Sequence, residues 1–171
     1  MDKGKEILNK IKKLTSLVKS NKFLGAMTIE VVRKFLKKEG FKVSERNSFI
    51  KGVPNEIDLL ILKKDSKPLF NSHYEPKDVL FVFEIKFRGS YGESDKRHVR
   101  EMFDNVKKVN SEIRCIYLAI SENRKYKHRA TDRNINGKVF ELLKRDTSLE
   151  FAIKKGTLRS GDWKKLIDYL S

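Results

Sequence analysis

Asp78-Val79-Leu80-Phe81-Val82-Phe83-Glu84-Ile85-Lys86-Phe87 is the stretch on which the fold turns. In an extended strand alternate residues share a face. Val79, Phe81, Phe83, Ile85 and Phe87 therefore face one way, and all are apolar. The other face starts apolar with Leu80 and Val82, then changes to Glu84 and Lys86. Such a strand is buried on both sides, except for an acid and a base at its far end. A second apolar run, residues 56–63, has the opposite polarity. Leu60 and Leu62 share a face with Asp58, which stands near its beginning. Paired as antiparallel neighbours, the start of one strand lies beside the end of the other. Asp58 then meets Glu84 and Lys86 at the edge of a buried sheet. Charges buried there are costly unless paired. Two carboxylates repel each other, and a divalent cation removes the repulsion. Oxygen donors without a Cys or His cluster suit Mg²⁺ or Mn²⁺.

Outward from this pair, the pattern predicts a helix over 22–39, with Leu24, Met27, Val31 and Phe35 on one side and Gly40 ending it. A strand is expected at 41–47, and loops carry Gly52, Pro54 and the polar residues 64–77. Ser94 is placed to cap a helix running to about 109, with Val99, Met102, Phe103 and Val106 at helical spacing. Residues 114–120 read as a strand and 121–136 as a basic stretch. A helix at 138–145, a strand at 149–154 and a helix at 161–170 follow. At the other end, Ile7, Ile11, Leu14 and Val18 mark an amphipathic helix over 4–19 whose second face is lysine. Together these elements make one α/β domain spanning 1–171: a core over about 22–120, an N-terminal helix within 1–20 and a C-terminal extension over 121–171.

The charge balance is strongly basic, 39 Lys+Arg against 23 Asp+Glu, a formal net charge of +16. That points to a polyanionic partner, nucleic acid before an anionic membrane surface. No helix combines a broad aromatic face with a basic one, which sets the membrane aside. The single cysteine, Cys115, sits among Ile113, Ile116 and Leu118 and reads as a core thiol. The charged N-terminus shows neither a secretion signal nor a bilayer-spanning run, so a cytoplasmic setting is expected.

The stretches Asn55-Glu56-Ile57-Asp58 and Glu84-Ile85-Lys86, each joined to an apolar strand, resemble the PD-(D/E)XK (restriction-endonuclease-like) nuclease superfamily. The resemblance covers about residues 22–120. It implies an αβββαβ core with a mixed central sheet flanked by helices, plus N- and C-terminal helical additions. It further implies that Asp58 and Glu84 ligate Mg²⁺ or Mn²⁺, with the Ile85 carbonyl as an extra ligand. Lys86 would position or activate the attacking water. Glu30, on the first core helix, matches a glutamate that many members add as a ligand, in an arrangement reminiscent of archaeal Holliday-junction resolvases. Two departures stand out: Ile57 replaces the proline of the motif, and a glutamine that some members carry on the next helix is absent. The implied activity is metal-dependent hydrolysis of DNA phosphodiester bonds, of restriction, resolvase or repair type. The alternative is a catalytically silent nucleic-acid-binding module on the same fold. Lys51, Arg88, Lys96, Arg97 and Arg100 are the expected phosphate contacts, joined by Arg124, Lys125, Lys127 and Arg129 on a basic loop. DNA is the expected partner. The oligomeric state stays open, a homodimer included.

Overall fold

The long apolar strand forms as expected and lies inside a six-stranded mixed sheet. The computed structural model describes residues 6, 7, 9–11, 13, 14, 21–88, 93–123, 131–145, 155 and 159–171. In chain order the elements are helix α1 (Asn21–Lys38), strands β1 (Lys42–Val43), β2 (Phe49–Ile50), β3 (Leu59–Leu62), β4 (His73–Tyr74) and β5 (Val79–Arg88), and helix α2 (Glu93–Val109). Strand β6 (Arg114–Asn123), a short α3 (Asp132–Ile135), strands β7 (Lys138–Arg145) and β8 (Arg159–Ser160), and helix α4 (Trp163–Leu170) complete it. The sheet order is β1-β3-β5-β6-β7-β8. Its first three strands are antiparallel neighbours, while β5, β6 and β7 run parallel. Strands β2 and β4 form a separate two-stranded parallel sheet. The fold is thus a mixed α/β sheet flanked by helices.

Both faces of the sheet are covered. Phe81, Phe83, Ile85 and Phe87, with Leu59 and Ile61, pack beneath α1, α4 and the buried Ile7 and Ile11. The other face sets Leu60, Leu62 and Val82 against Val99, Met102, Phe103 and Val106 of α2. The hairpin β3–β5 departs from simple alternation at one place. A register shift between Ile61 and Leu62 brings Leu62 opposite Val79. Val79 consequently joins the α2 side rather than the face of Phe81, and Leu80 is exposed. The extra residue of a bulge reverses which face the following side chains take.

Helix α1 buries Leu24, Thr28, Val32, Phe35 and Leu36, while Met27 and Val31 are only half-buried. It ends in a Schellman turn. Gly40 has φ +90, its N–H bonds to the Lys37 carbonyl, and the Phe41 N–H bonds to the Leu36 carbonyl. Lys37 and Lys38 complement the helix dipole in the last turn.

Residues 138–145 differ from expectation: they form β7, not a helix. Val139-Phe140-Glu141-Leu142-Leu143 is too short a run for periodicity to separate strand from helix. The exposed edge of β6 decides the matter by offering a parallel partner from Ile116 to Asn123. Ser94 lies inside the first turn of α2 rather than before it. The strand expected at 149–154 and Val18 of the first helix lie outside the described residues, whereas residues 6, 7, 9–11, 13 and 14 are helical.

Gly25 sits inside α1, where glycine weakens a helix, yet a Cβ placed there would meet nothing within 4 Å. Gly25→Ala should therefore stabilise the protein by about 0.5–1 kcal/mol, read as a higher midpoint in urea. An unchanged or lower midpoint would show that the glycine serves the packing of α1.

Candidate active site

Strands β3 and β5 part company where the acidic residues stand. Their ladder pairs Ile61 with Phe81, Leu60 with Val82 and Leu59 with Phe83. One step further, the same register sets Asp58 opposite Glu84. At that step the chain before β3 leaves β5 and turns to the segment following β1. Ser48 and Ile57 exchange both backbone hydrogen bonds at 2.9 Å, and the Asn47 N–H reaches the Asp58 carbonyl at 3.3 Å. The strands fork, and the Asp58 side chain bridges the fork. Its Oδ2 accepts the Ile85 N–H at 2.6 Å. Because a strand residue directs its N–H and C=O to the same edge, the Ile85 carbonyl is turned toward the side Asp58 occupies.

Glu84 is 7% exposed, and its Oε1 lies 2.5 Å from Lys86 Nζ. Glu84 and Lys86 are two apart on one strand and so share a face. The Lys86 side chain is 42% exposed, which places a buried carboxylate behind an ammonium that reaches solvent. Burial works to lower the Lys86 pKa. Glu84, through charge and hydrogen bond, and Asp58 and Asp95 through charge, overcome it and hold the pKa above its ordinary value. Asp58 is pushed up to about 7, first by burial and then by the Glu84 carboxylate. The Ile85 N–H and Lys86 oppose that rise, while Glu56 adds slightly to it.

Asp58 and Lys86, with Glu84 buried behind Lys86, open onto a cleft of about 450 Å³ lined by Gly25, Ala26, Ile29, Arg46, Asn47, Asp58, Ile85, Lys86 and Phe87. Its far wall is the N-terminal half of α1. Arg46 and Asn47 come from the β1–β2 connection, a loop that a buried arginine holds in place. Arg33 Nε donates to the Ser44 carbonyl at 2.8 Å, and the guanidinium also pairs with Glu45 and Glu30. The Ser44 hydroxyl in turn accepts the Leu60 N–H at 2.9 Å. Helix, loop and sheet are tied together beside the cleft.

Several sequence candidates stand elsewhere. Glu30, the expected third ligand, is paired with Arg33 at 3.1 Å. Among the described residues no group of three or more His, Cys, Asp and Glu side chains is placed to hold a metal ion. The placement of Glu30, on which the resolvase likeness leaned, thus brings no third carboxylate to the pair. Lys96 is 7% exposed, so it differs from the free phosphate contact expected of it. Lys51 pairs with Glu75 at 3.0 Å, Arg97 is exposed, and Arg100 lies 3.9 Å from Asp104. Arg124, Lys125, Lys127 and Arg129, and the side chain of Arg88, lie outside the described residues. Burial pushes the Cys115 thiol up to about 12, leaving no thiolate for chemistry. Sequence reasoning missed Arg46, Asn47 and the field of Asp95. The one local signal was Asn47, a residue type that tolerates the left-handed region it occupies at φ 57.

The donors fit a hard divalent cation. Mg²⁺ is held through one or two carboxylates and completes its shell with water. Two oxygen-bearing carboxylates that raise each other's energy, with a backbone carbonyl beside them, answer that description without a third acid.

The amino-acid sequence matches no family model and no curated relative. Solved structures do share its architecture. NucC of P. aeruginosa ATCC27853 in its cAAA-bound form superposes with a TM-score of 0.59 at 11% identity, over 82% of this chain and 71% of that one. The cAAA-bound NucC of E. coli MS115-1 gives 0.60 at 12% identity over the same shares. This chain has the fold of NucC. At such identity the likeness is one of architecture.

A stability measurement checks the electrostatics of Asp58. Its folded-state pKa lies above the unfolded value, so its contribution to stability is complete below pH 3.8 and lost as pH rises to about 7. In EDTA, Asp58→Asn should raise Tm at pH 8 by about 4 °C, the shift made by roughly 1–2 kcal/mol in a domain of this size. The gain should shrink toward pH 5. A variant less stable than the parent at pH 8 would mean that the carboxylate is a structural acceptor for Ile85 and little else.

Proposed function

We propose that this chain is a metal-dependent endonuclease that hydrolyses phosphodiester bonds in DNA. The observation that carries the reading is that Asp58 and Lys86 line one cleft where the β3–β5 ladder opens, with the buried Glu84 carboxylate set behind Lys86. A binding module has no use for two mutually repelling, largely buried carboxylates. The fold shared with the NucC nuclease fold, the resemblance of Glu84-Ile85-Lys86 to the PD-(D/E)XK motif and the formal charge of +16 support the same activity. No described helix is long and apolar enough to cross a membrane.

Asp58 and Glu84 would hold the cation, with the Ile85 carbonyl at the same edge. When bound, a divalent cation supplies Lewis-acid chemistry to phosphate hydrolysis: it offsets charge on the phosphate and acidifies water. The protein's own groups do the rest. The Ile85 N–H fixes one Asp58 oxygen and so orients the carboxylate. Glu84 keeps Lys86 protonated and aimed along the cleft. There the ammonium orients a water on one side and offsets the charge that develops on the phosphate. Ile29 and Phe87 limit the water around the reacting groups.

The test is incubation with linear, nicked, branched and single-stranded DNA, with Mg²⁺ and with EDTA. Cleavage is expected with Mg²⁺ alone, and the branched substrate reports whether a resolvase type of preference exists. Lys86→Ala should lower kcat by about 10²–10⁴-fold. DNA affinity should stay within about 3-fold, because many phosphate contacts share the binding. Tight binding without cleavage of any form would replace this reading with the silent binding module. Loss of binding in Lys86→Ala would make Lys86 an anchor and not a participant.

A further inference from the structure

Resting on that reading, we infer that the cleft beside Asp58 is a nucleotide subsite in which Arg46 holds the phosphate next to the scissile one. Three observations carry it. Among the described residues, Arg46 and Lys86 are the two cationic side chains lining the cleft with Asp58, and they come from different elements. Lys86 is engaged by Glu84, whereas Arg46 makes a long hydrogen bond from Nη1 to the Ala26 carbonyl, 3.4 Å. Ala26 lies within α1, where the helix's own ladder takes up its carbonyl, so this contact adds little. Toward the described residues, the guanidinium rests on the cleft wall with most of its donors uncommitted. Its planar fork suits a phosphate, which it can meet with two parallel hydrogen bonds.

The shape of the cleft agrees. At about 450 Å³ it falls among sites that enclose a small organic ligand. One side is apolar, with Ala26, Ile29 and Phe87, and fits a sugar face; the other carries Arg46 and Asn47. Gly25 completes the wall although no packing contact needs it to be glycine. A side chain there would take up space in the cleft, and its absence lets a ligand lie against α1. Arg33 then acquires a purpose beyond stability. By clamping the Ser44 carbonyl and Glu45, it holds the loop that brings Arg46 to the cleft.

The experiment uses the full chain, with cleavage positions mapped first on a duplex in Mg²⁺. Arg46→Ala should raise KM about 10-fold while kcat changes less than about 3-fold, as for a group that binds ground state and transition state alike. Arg46→Lys should recover part of the loss. In Ca²⁺, the slope of log affinity against log salt should fall by about 0.9, the share of one phosphate. A duplex with an uncharged methylphosphonate next to the scissile phosphate should bind wild type as weakly as the natural duplex binds Arg46→Ala. Combined with that variant, it should cost nothing more. Losses that add at every methylphosphonate position, or an Arg46→Ala enzyme with wild-type KM and salt slope, would overturn the assignment while leaving the nuclease reading intact. A wild-type chain that cleaves no DNA would overturn both.

Discussion

The fork between β3 and β5 is the constraint on which the site depends. An antiparallel ladder leaves no freedom in who faces whom: once Leu59 pairs with Phe83, Asp58 must stand opposite Glu84. Had the ladder continued, Ile57 would have spent its backbone on Ile85 of β5 and the space between the strands would have closed. Instead Ile57 pairs with Ser48, and the Asp58 carboxylate takes the Ile85 N–H in place of a backbone carbonyl. The sheet loses a rung and gains a carboxylate fixed at its opening edge. Everything else in the cleft refers to that substitution. Lys86 is placed by its register with Glu84, and Arg46 by the strand segment that captured Ile57.

That arrangement is held at a cost in local stability. Burial first, and then the neighbouring Glu84 carboxylate, push the Asp58 pKa up to about 7. Gly25 weakens α1 without a packing reason. Such local conflicts, in a chain whose two cores are otherwise densely apolar, are where function tends to reside. The cores on both faces of the sheet supply the rigidity that lets the conflict persist. Arg33 adds a polar brace where helix, loop and sheet meet.

Much of this was legible in the sequence because it depends on period-two alternation. Phe81, Phe83, Ile85 and Phe87 on one face, and Glu84 and Lys86 ending the other, identify an interior strand that turns polar at one end. Asp58 followed from the same reasoning, and Val99, Met102, Phe103 and Val106 located α2 by helical spacing. What failed to show was whatever tertiary pairing decides. The run at 138–145 is a strand because β6 has an edge to fill. Val79 changed face because a bulge intervened. Glu30 lies at a plausible helical position, but Arg33, one turn along, takes it. Arg46 and Asn47 gave no periodic signal. They reach the cleft because Ser48 pairs with Ile57, a single bridge between segments with no pattern of their own.

The central claim is that Asp58 and Glu84 share one hard cation at the fork. Crystals of the full chain grown with Mn²⁺ and recorded at the manganese edge test it directly. A single anomalous peak is expected about 2.0–2.6 Å from a carboxylate oxygen of Asp58 and one of Glu84, the range for hard cations on oxygen. It should vanish in Asp58→Asn. A peak at other residues, or none between these two carboxylates at saturating Mn²⁺, would contradict it.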